Sequence, residues 1–451
     1  MEPTEIFHVP RWTDQDGHKD IIVSVPGSKS ITNRALLLAA LGTTQCVLQG
    51  VLFSDDSRAM MDCLGGLGFR LKIDEAHQTV VIWGEGGRIP CKEALINVRS
   101  AGTAARFLTV LLALAGGRYT LDASPQMRRR PMATLLTALR QAGADIECLE
   151  QEGYFPFRIN RGVKNMTEVT VDTNISSQFA SALLMAGGVC PGGLRVRLIG
   201  ERTGGAYIGI TLRMMEQFGR VITKESDGYS IPPIGQFNDQ PGQTSGDAFR
   251  QDHGITDYRI EPDVSGACYF YACAPLLGTD VLVRQVHRDS MQGDIRFVEL
   301  LEQLGCRLED SAEGLWVRGR SVEAFPGLTV DMKDFSDQTM TMAALAPFAT
   351  TATTIRAVGH IRFQESDRIG AIVTELTRIG IACEATDAGD IMITPGPLKG
   401  GAVETYEDHR MAMAFTLIGL KTGAIAIKNP GCCAKTFENF FTLIDDLFKT
   451  V

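Results

Sequence analysis

The sequence has no C-x-x-C pair and no cysteine–histidine set at zinc-finger spacing, although it holds eleven cysteines in 451 residues. Structural zinc is thereby excluded, and a disulfide scaffold is out of place in so long a chain, so the thiols are expected reduced and mostly in cores. No apolar run reaches membrane length, the longest being of the kind at 107–115, and the first twenty residues carry mixed charge without a signal-peptide core. These absences point to a soluble, cytoplasmic protein. Positive charge is in short supply: Lys and Arg number 44 against 53 Asp and Glu, a net charge of −9. A general nucleic-acid binder needs a basic face, so that class is set aside, while a small anion held by a few focused cations remains compatible. The run Gly27-Ser-Lys-Ser30 ends like a phosphate-binding P-loop, but Ile22 stands where the upstream glycine belongs, so a nucleotide site is excluded too.

What is present is repetition. Six times an extended apolar stretch meets a short polar junction and then an Ala/Leu/Met-rich helix. The junctions are Pro26-Gly-Ser-Lys-Ser30, Arg99-Ser-Ala-Gly-Thr103, Asn174-Ile-Ser-Ser-Gln178, Asp263-Val-Ser-Gly-Ala267, Phe335-Ser-Asp-Gln-Thr339 and Tyr406-Glu-Asp-His-Arg410. Each places Ser, Thr or Asp where a helix N-cap belongs. The helices end near Gly42, Gly116, Gly187, Gly278, Thr350 and Gly423, at successive spacings of 74, 71, 91, 72 and 73 residues. A second, amphipathic helix is repeated between them and closes on Gly68, Gly143, Gly219, Gly305 and Gly380, where a left-handed residue would stop it. Each unit therefore reads strand, buried helix, strand, surface helix, strand. The last copy runs out at the C-terminus without its strand. The period exceeds that of a solenoid repeat, so small repeated domains fit better.

The one stretched interval contains 235–254, a polar, Gly-rich segment without periodicity, read as a long surface loop that splits the units three and three. Helices apolar all round must be interior. If those within a domain run parallel, their N-termini present free N–H groups and partial positive charge at one end, a ready site for anions.

The residues at those starts suit that use. Lys29 and Arg34 bracket a first helical turn, where cations oppose the helix dipole, and Arg410 repeats the arrangement in the sixth unit. Lys435 follows shortly after. Of the arginines in Gln126-Met-Arg-Arg-Arg-Pro131, Arg130 beside the proline is best placed to reach a ligand, and Arg128 and Arg129 read as a solvated face. Ser176, Ser177 and Gln178 offer neutral donors to phosphate oxygens. Asp337 and Glu365, set among so many cations, form a candidate acid–base pair.

Read together, Pro26-Gly-Ser-Lys-Ser-Ile-Thr-Asn-Arg34, Ala101-Gly-Thr103, Arg130-Pro131, Ser176-Ser-Gln-Phe179, Ser290-Met-Gln-Gly-Asp-Ile-Arg296, Asp408-His-Arg-Met-Ala-Met413 and Ala434-Lys-Thr-Phe437 resemble the 5-enolpyruvylshikimate-3-phosphate synthases, in order, from about residue 23 to 440. The resemblance implies an α/β fold of two similar domains, each of three βαβαββ units around buried parallel helices, an inside-out α/β barrel. Residues 1–26 with 258–451 would form one domain and 27–257 the other. It implies transfer of the enolpyruvyl group of phosphoenolpyruvate to the 5-hydroxyl of shikimate 3-phosphate, with no metal, no cofactor, no nucleic acid or membrane partner, and a monomer. Catalysis would fall to Asp337, Glu365 and Lys29. Shikimate 3-phosphate would meet Ser30, Arg34, Ser176, Ser177, Tyr207, Asp337, His360 and Gln364. Phosphoenolpyruvate would meet Lys29, Gly102, Arg130, Gln178, Arg368, Arg410 and Lys435.

Departures from the family pattern are visible. Gln364 stands where a lysine is usual, Ser100 and His360 each replace an asparagine, Gly204 takes a serine's place beside Thr203, and Phe107 replaces a proline. Exchanging a lysine for Gln364 keeps a donor and loses a charge, which implies altered affinity or pH dependence. Two alternatives compete: a sister enzyme acting on UDP-N-acetylglucosamine, whose usual loop cysteine is missing from 126–130, and a substrate-binding homologue that has lost catalysis.

Overall fold

The structure is a computed structural model describing residues 5–13, 19–173, 177–200, 203, 205–234 and 255–448. The segment 235–254, Ser176 and Gly204 lie outside the described residues.

The repeat is legible strand by strand. Glu93–Asn97 pairs parallel with Arg118–Asp122, and the helix Gly102–Ala115 crosses between them. The surface helix Ala133–Gln141 follows, and an antiparallel hairpin, Asp145–Cys148 with Phe157–Arg161, completes a four-stranded sheet. Among the described residues, five of the six sheets have this plan of one parallel pair and two antiparallel partners. The crossing helix is hydrophobic on every side, and all of Gly102–Ala115 but Ala115 is buried. Each fully enclosed leucine in it contributes about 1.5–3 kcal/mol of transfer free energy. His409–Thr422 is buried in the same way through Leu420.

Two units differ from the contiguous repeat expected from the sequence. The parallel partner of Gln45–Gln49 is Asp257–Arg259, and that of Asp280–Arg284 is Ile21–Val23. Each of these sheets takes its leading strand from a remote part of the chain. Among the described residues the sixth sheet has three strands, Ile6–His8, Ile425–Lys428 and Gly401–Val403. Ile6–His8 pairs antiparallel with Ile425–Lys428 and covers that edge, which would otherwise present unpaired backbone groups. Contacts divide the chain into two compact units, Met1–Ser28 with Glu261–Val451, and Lys29–Ile260. The outgoing and returning segments meet within the first of these, where Gly27 pairs with Pro262 and the Ser28 amide donates to the Glu261 carbonyl at 2.8 Å.

The five surface-helix glycines take φ of 87° (Gly68), 98° (Gly143), 71° (Gly219), 93° (Gly305) and 96° (Gly380), the left-handed stop expected of them. The capping expectation fares unevenly. Asp263 and Asp408 do cap, accepting from the Ser265 and Arg410 amides. At the second junction the cap position is Ala101, without a side-chain bond, and at the fifth a 3-10 turn, Lys333–Gln338, precedes the helix and Gln338 holds the cap position. The polar side chains there are turned sideways instead. Ser100 meets Ser124 at 2.7 Å, Thr103 accepts from Asn33 at 2.8 Å, and Ser336 bonds His360 at 2.8 Å. All eleven cysteines are free and eight are buried, which agrees with core thiols. No helix among the described residues is long and apolar enough to cross a membrane.

Candidate active site

Within Lys29–Ile260 the helix starts gather cations with few carboxylates beside them. Lys29 opens the helix Lys29–Ala40, with Nζ 3.5 Å from Oδ2 of buried Asp56. Arg34, one turn on, is 1% exposed. Its Nε donates to Thr211 Oγ1 at 2.8 Å, Nη1 to the Ser30 carbonyl at 2.8 Å, and Nη2 to Ser181 Oγ at 3.2 Å and the Tyr207 carbonyl at 3.3 Å. None of these acceptors carries a charge. Burial draws its pKa down to about 10, opposed only by Tyr207. Arg34 thus ties three helices, Lys29–Ala40, Ser177–Ala186 and Ala206–Gln217, into one end of the unit.

Gly102 begins the next buried helix. A Cβ there would lie 2.9 Å from Arg130 Nη1 and 3.2 Å from Arg106 Nη1, so only glycine lets Arg130 rest against the helix start. The Nε of Arg130 is buried without a hydrogen-bond partner. Arg128 instead pairs with Asp122 and Glu150 near the surface. Ser177 and Gln178 open the helix Ser177–Ala186.

Within the other unit the corresponding end is built from opposed charges. Asp337 stands in the 3-10 turn before the helix Thr339–Leu345, and its two oxygens accept from Arg368 Nη1 at 2.9 Å and Arg410 Nη2 at 2.8 Å. Arg368, 1% exposed, begins the helix Arg368–Arg378. It also donates to Glu365 Oε2 at 2.9 Å, to Asp408 Oδ2 at 2.8 Å and Oδ1 at 3.4 Å, and to Gln364 Oε1. A guanidinium has five N–H donors, and all five are used here. Burial works against its charge, but Asp408, Glu365 and Asp337 outweigh that and raise its pKa above the ordinary arginine value. Lys435 Nζ lies 3.9 Å from Glu365 Oε1, and Arg410 Nη1 is 3.5 Å from the Tyr269 hydroxyl. His360 sits beside the cluster through its 2.8 Å contact with Ser336.

Six of the expected residues, Asp337, Gln364, Glu365, Arg368, Arg410 and Lys435, therefore form one connected cluster. Lys29, Ser30, Arg34, Gly102, Arg130, Ser177, Gln178 and Tyr207 belong to the other unit. The cluster suits a ligand with two anionic groups, because a phosphate or carboxylate competes for the same guanidinium forks that hold Asp337 and Glu365.

The comparisons with known proteins bear on this chemistry. The family model of EPSP synthase (3-phosphoshikimate 1-carboxyvinyltransferase) matches residues 16–444. The chain belongs to the EPSP synthase family. It is 40% identical over 423 residues to a Nostoc punctiforme protein named 3-phosphoshikimate 1-carboxyvinyltransferase, covering 94% of this chain and 95% of that one. A Vibrio atlanticus protein of the same name is 38% identical over 421 residues, covering 93% and 95%. An EPSP synthase structure from Acinetobacter baumannii matches with a TM-score of 0.76 at 23% identity, covering 99% of this chain and 98% of that one. That likeness shows the two-domain inside-out α/β fold.

In this member of the EPSP synthase family, sequence reasoning missed three buried carboxylates beside the candidate residues of the two units. Asp408 was legible as a cap, but its second task, holding Arg368, depends on a residue 40 positions away. Asp56 beside Lys29 lies in a surface helix that reads as ordinary amphipathic sequence. Asp294, inside the Ser290–Arg296 motif, left no signal of its burial.

Proposed function

We infer that this chain is a 3-phosphoshikimate 1-carboxyvinyltransferase. It transfers the enolpyruvyl group of phosphoenolpyruvate to the 5-hydroxyl of shikimate 3-phosphate and releases inorganic phosphate, a step of aromatic amino-acid biosynthesis. The observation that carries this is near-full-length identity of 40% to a protein of that name. The cluster around Arg368 supports it.

The reaction is addition followed by elimination. The 5-hydroxyl oxygen bonds to C2 of phosphoenolpyruvate as a proton reaches its methylene carbon, and the tetrahedral intermediate then loses phosphate and the methyl proton. A base for the hydroxyl, an acid at the methylene and cations at the leaving phosphate are needed. Asp337 takes the hydroxyl proton in this reading. Glu365, bridged to Arg368 and near Lys435, exchanges the proton at the methylene carbon, with Lys29 assisting. Arg130, Arg368, Arg410, Lys435 and Gln178 hold phosphoenolpyruvate, and Gly102 leaves room for it. Ser30, Ser176, Ser177, Tyr207, His360 and Gln364 receive shikimate 3-phosphate, with Arg34 holding the Ser30 and Tyr207 backbones in place.

Because Arg368 is saturated, an anion reaches it only by exchange. A substrate carboxylate or phosphate arriving at Arg368 and Arg410 takes over bonds now made to Asp337 and Glu365. Binding of substrate thereby frees the two carboxylates for proton transfer. The protein works as a cytoplasmic monomer in this reading.

Phosphate release is the test. Release on mixing the protein with phosphoenolpyruvate and shikimate 3-phosphate, and none with UDP-N-acetylglucosamine as acceptor, is expected. Saturable binding of shikimate 3-phosphate without release from either mixture would instead identify a binding protein.

A further inference from the structure

Behind Asp337 lies a second buried carboxylate that the reaction does not use. Asp294 is 5% exposed and stands at the start of the helix Ile295–Gln303. Its Oδ2 accepts from Gln338 Nε2 at 2.9 Å and from the Ser265 hydroxyl. Gln338 is the residue after Asp337, is fully buried, and is fixed at its other end by Thr341 Oγ1 at 2.8 Å. Ser265 belongs to the first turn of the helix Val264–Tyr271. Asp294 therefore joins the starts of two buried helices, one of them preceded by the turn that holds Asp337.

The charged surroundings are uneven. Asp337 faces Asp294 from the turn before Thr339–Leu345, and Arg410 faces it from His409–Thr422. From Val264–Tyr271 the Cys268 thiol donates to the Asp294 carbonyl at 3.5 Å, and the Asp263 cap stands beside that thiol. On its own helix Arg296 is turned away to Asp334 at 2.7 Å. No cation is hydrogen-bonded to the Asp294 carboxylate among these groups, and burial together with Asp337 raises its pKa to about 6, against the pull of Arg410.

We propose that Asp294 is a positioning residue for Asp337, orienting it through Gln338 and strengthening it as a base by standing close behind it with like charge. This rests on the reading of Asp337 as the base. When Asp294 ionises, the added negative charge makes removal of a proton from Asp337 harder and its proton uptake stronger. The same charge weakens the hold of the site on anions. Asp294 Oδ2 is engaged by Gln338, the residue next to Asp337, and by Ser265.

Asp294→Asn keeps the acceptor oxygen and removes the charge. Its kcat/KM–pH profile should lose an inflection near pH 6 and run to lower pH on the acid side, with kcat at pH 8 reduced about 3- to 10-fold and KM for phosphoenolpyruvate lowered. A profile that superimposes on the wild type after scaling by one constant factor would overturn the proposal, since that is what loss of packing alone produces. Carboxyl-labelled aspartate NMR gives a reading independent of turnover. One carboxyl should titrate near pH 6 in the wild-type protein, vanish in Asp294→Asn and move to lower pH in Asp337→Asn; a signal unmoved by Asp337→Asn would refute the coupling. If Asp294→Asn does not fold, Ser265→Ala removes one donor from the ionised carboxylate and should move the same signal upward, and a signal that stays in place counts against the proposal. Absence of phosphate release from the wild-type protein would strike at the assigned activity alone, leaving the NMR reading to decide on Asp294.

Discussion

Arg34 and Arg368 are equally enclosed, each 1% exposed, yet their partners are opposite in kind. Arg34 is held by two hydroxyls and two carbonyls, and burial brings its pKa down to about 10. Arg368 is held by three carboxylates and a glutamine, and its pKa is raised. Neutral partners leave the charge of Arg34 uncancelled, while Lys29 at the start of the same helix has Asp56 3.5 Å away. Carboxylate partners cancel the field and supply acids and bases. The same repeat thus encloses one arginine among neutral acceptors and another among carboxylates, and the two differ in what surrounds the buried guanidinium.

That contrast can be broken most forcefully at Arg368. Arg368→Met leaves Asp408, Asp337 and Glu365 without their shared cation, and a loss of about 3–5 kcal/mol in urea unfolding is expected, with activity abolished. Asp337→Asn should keep the fold, because Arg368 keeps its bonds to Asp408, Glu365 and Gln364 and the one remaining carbonyl oxygen can accept from Arg410, while kcat falls roughly 10²- to 10⁴-fold in steady-state assays. A pH series sharpens the role of like charge in the carboxylate-rich end. Asp294 titrates near an ordinary 3.8 when unfolded and at about 6 when folded, so the folded chain holds that proton more tightly. Stability from this group therefore falls as pH rises from about 4 to 6, and Asp294→Asn should flatten that slope in denaturation curves. Arg34→Met is expected to cost less, about 1–2 kcal/mol, because Thr211 already donates to Ser181 at 2.8 Å and keeps a partner when the guanidinium is gone. Smallest is Gly102→Ala. Its methyl group pushes aside only the ends of the Arg130 and Arg106 side chains, so KM for phosphoenolpyruvate should rise a few-fold with the unfolding midpoint nearly unchanged, an effect of about 1 kcal/mol or less.

The repeat, its buried helices and the glycines that close the surface helices were readable because each depends on neighbours in sequence. The exchange of Ile21–Val23 and Asp257–Arg259 into distant sheets was not, since a three-residue strand has too little pattern to announce its partner. At the site, cations at helix starts were visible because they contradict the dipole there. What they bind was invisible. Arg34 read as a ligand residue, but its donors turn inward to Thr211 and Ser181, which lie 177 and 147 residues further on. Gln364, the departure from the family lysine, finds its physical sense only in the cluster, where it gives Arg368 a fifth acceptor that an ammonium group cannot provide.

The strand Ile6–His8 closes a sheet against Ile425–Lys428, and Ile21–Val23 leads another with Asp280–Arg284. A ribosome delivers these pairs far apart in time. At about 5–20 residues per second the first strand waits some tens of seconds for its neighbour, while everything in Lys29–Ile260 has already emerged. During that interval the N-terminal segment is a bare edge available to chaperones or to another nascent chain. The order of synthesis thus makes Lys29–Ile260 the first half able to mature, and the half that carries Asp337 the last.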